Sequence, residues 1–293
     1  MSNPYKIVIT IADILIEVKS PISAIKLGIG NRLSSFLCML KNPIAHVSIT
    51  WHESEDTPAP KGELVYDPGS ILKMYRLGSE FYAAICYPSG NETTKEQAVL
   101  HANSTWDNLI LTEQPTGATW QSLINIGASE LLLRTKIILM DGLVFHASGI
   151  DDNGRGVVFV GHSGAGKSTQ VGLWNQLTGV IVMNDDRIAV RVKTNSAICY
   201  ATPWGGTANI AHNHQAPLSA LILLEQAKKN KIQQLAPSIA APLLLARTFL
   251  PYWDCAFMQR ALTNMNKLLA CIPVYLLQCR PEPEVISLVR SVL

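Results

Sequence analysis

Charge is scarce in this chain of 293 residues: Asp, Glu, Lys and Arg make up only 16% of it, against about 25% in ordinary globular domains. Disordered chains depend on high net charge and low hydrophobicity. This one carries a formal charge of +2 with 48% hydrophobic residues, so a folded protein is expected. No long Lys/Arg run is present, which argues against nucleic acid or an anionic membrane as partner. Long apolar runs are also missing: Pro217–Leu224 and Ile239–Ala246 fall short of the roughly 18 residues that cross a bilayer. The first twenty residues lack a basic leader, and Asp13, Glu17 and Lys19 interrupt their apolar stretch, so strands and a cytoplasmic protein are expected rather than a signal peptide. The six cysteines form no CxxC pair and have no zinc-like spacing to histidine, which predicts reduced thiols. Sequons at Asn91 and Asn103 matter only in a secreted chain. So little charge leaves an unusually apolar surface, and a subunit or inter-domain contact, hence a homo-oligomer, is expected.

The length suits two domains. Up to about Glu113 the chain shows short apolar or alternating runs, clearest at Lys6–Ile11, His46–His52, Glu63–Tyr66, Phe81–Tyr87 and Leu109–Thr112, a β-rich pattern. Asn31–Leu40 reads as a short helix. Glu113–Thr119 reads as a linker and Thr119 as the cap of a helix from Trp120 to about Met140. Residues 1–118 are therefore expected as a smaller β-rich domain for substrate recognition or oligomerisation, and 119–293 as an α/β nucleotide-binding domain. In the latter the pattern predicts strands at Leu143–Ala147, Gly156–Val160 and Val180–Val192 and a helix over Lys167–Leu177. Helices at Pro237–Leu250 and Asp254–Leu269, a strand at Val274–Gln278 and a helix from Pro283 follow.

The strongest motif is Gly161-His162-Ser163-Gly164-Ala165-Gly166-Lys167-Ser168-Thr169, which fits the phosphate-binding pattern G-x4-GK[ST]. A chance match in a chain this long has a probability of roughly one per cent. An apolar strand, Val157–Val160, precedes it and a helix follows, as the chemistry requires: glycines let backbone N–H groups turn inward around phosphates, Lys167 neutralises the β and γ groups, and the Ser168 hydroxyl can ligate Mg²⁺. Gly161, Ser163, Gly164, Ala165, Gly166, Lys167, Ser168 and Thr169 are the candidate ATP-binding residues.

One helix later, Val180–Asn184 ends in Asp185-Asp186. Alone this is an ordinary solvated strand end. Beside a phosphate loop, two carboxylates can divide the work of metal ligand and proton acceptor. Strand alternation would send the two side chains to opposite faces, so a local irregularity such as a bulge is expected there.

Together, His146, Gly154–Ser168 and Asp185-Asp186-Arg187-Ile188 resemble the core of bacterial HPr kinase/phosphorylase and its relatives, whose fold is similar to that of phosphoenolpyruvate carboxykinase. In that family a histidine stands fifteen residues before the first loop glycine, as His146 precedes Gly161, and a DDR[VI] segment follows the loop's helix. The resemblance spans roughly residues 140 to 290 and is nearest to the shorter members, including those that phosphorylate peptide natural products, in Thr202–Thr207 and Leu218–Glu225. It implies an HPr kinase/carboxykinase-like C-terminal domain, Asp185 as general base on an acceptor hydroxyl, Asp186 and Ser168 as Mg²⁺ ligands, and His146 as a polar group near the phosphates. True HPr kinases carry an arginine- and glycine-rich signature where this chain has Thr202–Thr207, so an acceptor other than HPr is implied.

The expected activity is ATP- and Mg²⁺-dependent transfer of the γ-phosphoryl group to a hydroxyl, serine of a protein or peptide. Two alternatives stay open: a non-catalytic nucleotide-binding regulatory module, and carboxykinase-type chemistry on a keto acid. Blander readings suit other features. His212-Asn213-His214 reads as a polar loop, Lys228–Lys231 as a solvated turn and Tyr252-Trp253 as packing, while Trp204 either packs or shapes an acceptor pocket.

Overall fold

The computed structural model describes residues 5–20, 31–38, 42–69, 71–86, 96–114, 128–206, 208 and 210–293. The chain divides into two compact units, Met1–Lys136 with Pro251–Cys255 and Ile137–Leu250 with Ala256–Leu293. Together they form a mixed α/β protein with two large sheets in which strands predominate.

The first unit is built on eight strands: β1 Tyr5–Ile11, β2 Ile14–Ser20, β3 Ala45–Glu53, β4 Glu63–Tyr66, β5 Leu72–Leu77, β6 Glu80–Cys86, β7 Glu96–Ala102 and β8 Asn108–Glu113. They lie in the order β1-β2-β3-β8-β7-β6-β5-β4. β3 runs parallel to β2 and β8, and the other pairs are antiparallel. Alternation fixes the register. One row of directly paired residues, Ile7, Val18, Ile49, Leu109, Ala102 and Phe81, is buried throughout, and a slip by one residue would turn it outward. Strands β5 and β7 were not expected: Lys73 and Arg76, and Gln97 and His101, dilute their apolar residues, and only pairing across the sheet completes them. The expected helix at Asn31–Leu40 is shorter, Asn31–Ser34. The expected linker after Gln114 and helix before Ala128 lie outside the described residues, and a helix covers Ala128–Lys136 before a 3₁₀ turn at Ile137–Met140. Tyr252 and Trp253 pack on Tyr66, with centroids 6.5 and 6.2 Å away.

The second unit contains β9 Gly142–Asp152, β10 Arg155–Val160, β11 Val180–Asn184, β12 Arg187–Lys193, β13 Ser196–Ala201, β14 Gln215–Gln226, β15 Lys231–Gln234 and β16 Val274–Cys279. β9 and β14 are long enough to serve two neighbours in succession. The first half of β9 pairs with β12, and its second half lies between β10 and β11. Because β10 also pairs with β14, strands β10, β9, β12, β13 and β14 close a ring, with β16 and β15 continuing from β14. β10 and β11 are both antiparallel to β9, so their C-terminal ends emerge at the same edge. Val157–Val160 are fully buried, as expected of a strand covered on both faces. The helices Lys167–Trp174 and Glu284–Arg290 bury Val171, Trp174, Val285 and Val289 against Phe159, Ile222 and Leu277.

Two expectations are corrected. Val180–Val192 is two strands, broken at Asp185-Asp186, because the Asn184 side-chain oxygen captures the backbone N–H groups of Asp186 and Arg187. The region after Asn230 also holds β15, whose residues Lys231–Gln234 are mostly polar because it is an edge strand. All six cysteines are free thiols.

Asp152 is fully buried and ion-paired to Arg155 at 2.7 Å, while Arg290 grips both its oxygens at 2.7 and 3.0 Å. The Arg290 guanidinium also lies 5.4 Å from the Trp174 ring. Burial alone would raise the Asp152 carboxyl, but the Arg290 hydrogen bonds and charge outweigh it and hold the group below the ordinary range. The resulting stabilisation is present above the unfolded Asp value of about 3.9 and is lost as pH falls through the lower folded value. Replacing Arg290 with Gln should cost about 2 kcal/mol at neutral pH, the scale of a hydrogen bond to a charged group. Urea unfolding followed by tryptophan fluorescence checks this; an unchanged midpoint at pH 7 would refute it.

Candidate functional site

The site forms where β9 passes from one partner to the next. His146 pairs with Arg187 of β12, and the adjacent Ala147 pairs with Val160, the last residue of β10. The loop after β10 and the turn after β11 therefore flank the same point of β9. Between them lies a cleft of about 300 Å³ lined by His146, Ser163, Gly164, Gly166, Lys167, Ser168, Thr169, Asp185, Asp186 and Gly206.

The loop Gly161–Gly166 connects β10 to the helix Lys167–Trp174. Gly164 and Gly166 adopt φ of 80° and 106°, left-handed conformations that a side chain would strain. Gly161 and Ala165 do not line the cleft: both are buried, and a Cβ at Gly161 would lie 2.7 Å from that of Ala165. Lys167 curls back over the loop, its Nζ donating to Gly161 O at 3.0 Å and His162 O at 3.1 Å. Only 7% of Lys167 is exposed. Burial pushes its ammonium down from the usual lysine range, and the negative charge of Asp186 opposes that. Ser168 and Thr169 are exposed at the start of the helix, where unpaired N–H groups and the helix dipole favour an anion.

Opposite stand the two aspartates. Both line the cleft despite being adjacent, because β11 slips register between Val182 and Asn184 and the strand ends there, the irregularity that the alternation required. The buried Asn184 accepts the N–H of Asp186 at 2.7 Å and of Arg187 at 2.8 Å. Asp186 lies 3.0 Å from His146 Nε2 through one oxygen and pairs with the Arg187 guanidinium through the other. The His146 hydrogen bond is the largest influence holding the Asp186 carboxyl below its ordinary range; burial opposes it, and the charges of Arg187, His146 and Lys167 reinforce it. Asp185 is buried and turned to the loop at 202–208: its oxygens accept the N–H groups of Gly206 at 2.7 Å and Ala208 at 2.8 Å.

The structure thus brings together in one cleft His146, Lys167, Ser168, Thr169, Ser163, Gly164, Gly166, Asp185 and Asp186. Sequence reasoning missed Asn184 and Gly206. An Asn before two turn residues is a readable turn signal, whereas the approach of Gly206 depends on a distant loop. Trp204 is 5% exposed and lies outside the lining of the cleft, so it packs. His212 and His214 bond to Val182 O at 2.9 Å and Asp151 Oδ2 at 2.8 Å. Among the described residues no group of three His, Cys, Asp or Glu side chains could hold a metal by itself, and no helix is long and apolar enough to cross a membrane.

Replacing His146 with Ala should move the Asp186 pKa up toward the ordinary carboxylate value of about 3.9. The stabilisation that Asp186 contributes above the unfolded value would then shrink, and the pH window over which it is lost would narrow. Carboxyl ¹³C NMR titration reads this directly, and an unmoved Asp186 would show that the contact has no such influence.

A protein-family model described as "ScmC: SynChlorMet cassette protein ScmC" matches residues 110–284. Among solved structures the chain is similar to the Hpr(Ser) kinase/phosphatase from Coxiella burnetii, with 14% identity and a TM-score of 0.30 over 50% of this chain and 94% of that one; a likeness at that level decides neither fold nor activity. No curated protein matches the chain.

Proposed function

We propose that this chain, which belongs to the family of SynChlorMet cassette protein ScmC, is an ATP-dependent phosphotransferase that moves a γ-phosphoryl group to a hydroxyl, serine of a protein or peptide. One observation carries the reading: a glycine loop with Lys167 and Ser168 at the head of a helix faces His146 and Asp186 across a single cleft. Transfer of a phosphoryl group is mainly a matter of positioning and charge stabilisation, and these residues supply both.

In this reading the loop N–H groups and the helix start hold the phosphates. Lys167 exchanges its two carbonyl partners for phosphate oxygens, which compensates for the burial of its charge. Mg²⁺ suits the donors present, the Ser168 hydroxyl and the Asp186 carboxylate. Each Asp186 oxygen keeps a second lone pair beyond its bond to His146 or Arg187, and a magnesium ion held by one or two protein oxygens plus phosphates needs no larger protein cage. Bound there, the ion would offset charge on the transferred group. His146 orients the Asp186 carboxylate, and the pair borders the space where an acceptor hydroxyl would approach.

Incubating native lysate with the full chain and ATP carrying a heavy-isotope γ-phosphate should yield a labelled acceptor, read by mass spectrometry. Lys167→Ala and Asp186→Asn should each lower the label on the order of a hundredfold or more, the scale of removing one stabiliser of transition-state charge. Native-level labelling in both variants would refute the reading. ATP binding without any labelled product would favour a nucleotide-binding module.

A further inference from the structure

Asp185 is placed unlike a group that waits for a substrate. It is 3% exposed, and each oxygen already accepts a backbone N–H, from Gly206 and from Ala208. The same stretch is tied to the strand end at three further points. Asn184 Nδ2 donates to Thr202 O at 2.7 Å and to Trp204 O at 3.1 Å, and the Thr202 hydroxyl donates to Arg187 O at 2.9 Å. All of these bonds join residues 184–187 to residues 202–208.

The glycines answer to the carboxylate and not to backbone conformation. Neither Gly205 nor Gly206 has a left-handed φ, so another residue could adopt either backbone. A Cβ at Gly205, however, would stand 3.0 Å from both Asp185 Oδ1 and the Ile210 carbonyl oxygen, and one at Gly206 would stand 3.0 Å from Oδ2 and 3.2 Å from Asp186 Cβ. Bare backbone is what lets the loop close onto the carboxylate, and Gly206 then forms part of the cleft wall beside Asp186 and His146.

We infer that Asp185 is a positioning residue: its carboxylate latches the backbone at Gly206 and Ala208, and the latched glycine segment is the acceptor-side wall of the cleft. The inference rests on the phosphotransferase reading for its catalytic consequence, and it departs from the general-base role that the family resemblance implies for Asp185. The chemistry separates the two roles. A base needs its charge, so Asn at 185 would be as inactive as Ala. A latch needs acceptors, and Asn keeps one of two, its Oδ1 for one N–H, while its amide nitrogen faces the other.

The test compares the full native chain with Asp185→Ala, Asp185→Asn and Gly206→Ala. Three quantities are read: amide hydrogen exchange of the 203–208 peptide against a 157–160 control, affinity for ATP with Mg²⁺ by calorimetry, and heavy-phosphate labelling of lysate proteins. A latch predicts at least tenfold faster exchange at 203–208 in Asp185→Ala and a smaller increase in Asp185→Asn. It also predicts loss of exchange protection in Gly206→Ala, whose carboxylate is intact, with ATP affinity within about twofold in all three. Labelling should fall in the same order as protection. Unchanged exchange in Asp185→Ala, or native labelling in Gly206→Ala, would overturn the inference, as would equal inactivity of Asp185→Asn and Asp185→Ala with protection retained. If the native chain labels nothing while exchange follows the predicted order, the phosphotransferase reading fails and the latch stands.

Discussion

The site depends on one buried amide. Asn184 is fully buried and spends its whole hydrogen-bonding capacity: its oxygen takes the N–H groups of Asp186 and Arg187, and its nitrogen donates to the carbonyls of Thr202 and Trp204. The first pair of bonds stops β11 and turns the chain into β12. The second pair draws in the loop that closes on Asp185. An apolar residue there would take this partner from four backbone groups, two of which, the carbonyls of Thr202 and Trp204, are in buried bonds and would cost about 1–3 kcal/mol each if left unpaired, and it would let Val180–Val192 run on as the single strand that its hydrophobic pattern suggests.

Around that turn the sheet supplies the rest. Because β9 changes partners at His146 and Ala147, the ends of β10 and β11 open at one edge on either side of it. The cationic Lys167 and the anionic Asp186 then face each other through a cleft, each partly buried and each shifted in its acidity by its surroundings. Such perturbations concentrate where charge is put to chemical use, although ion pairs such as Arg290–Asp152 show that they also occur where the purpose is packing.

How much of this could be read from the residues alone follows the range of the interactions. The strand, glycine loop and helix over Arg155–Trp174 are encoded within twenty consecutive residues, so pattern and chemistry agree there. The irregularity at the aspartates was legible as a conflict, since two adjacent side chains on an alternating strand cannot share a cleft. Its cause was not, because Asn184 acts through Thr202 and Trp204, eighteen and twenty residues away. The same distance hid the contact of Gly206 with Asp185 and the sheet-dependent strands β5 and β7. Only Asn184 itself left a local trace, as a turn-forming residue before two others.

In the proposed function the glycine loop and the aspartate turn serve one phosphate group together. A crystal structure of the full chain with Mg²⁺ and a non-hydrolysable ATP analogue tests it most directly. The γ-phosphate should lie within hydrogen-bond distance of Lys167 Nζ, with the metal reached by Ser168 and Asp186. A nucleotide bound elsewhere, or one bound in the loop with its metal remote from Asp186, would contradict it.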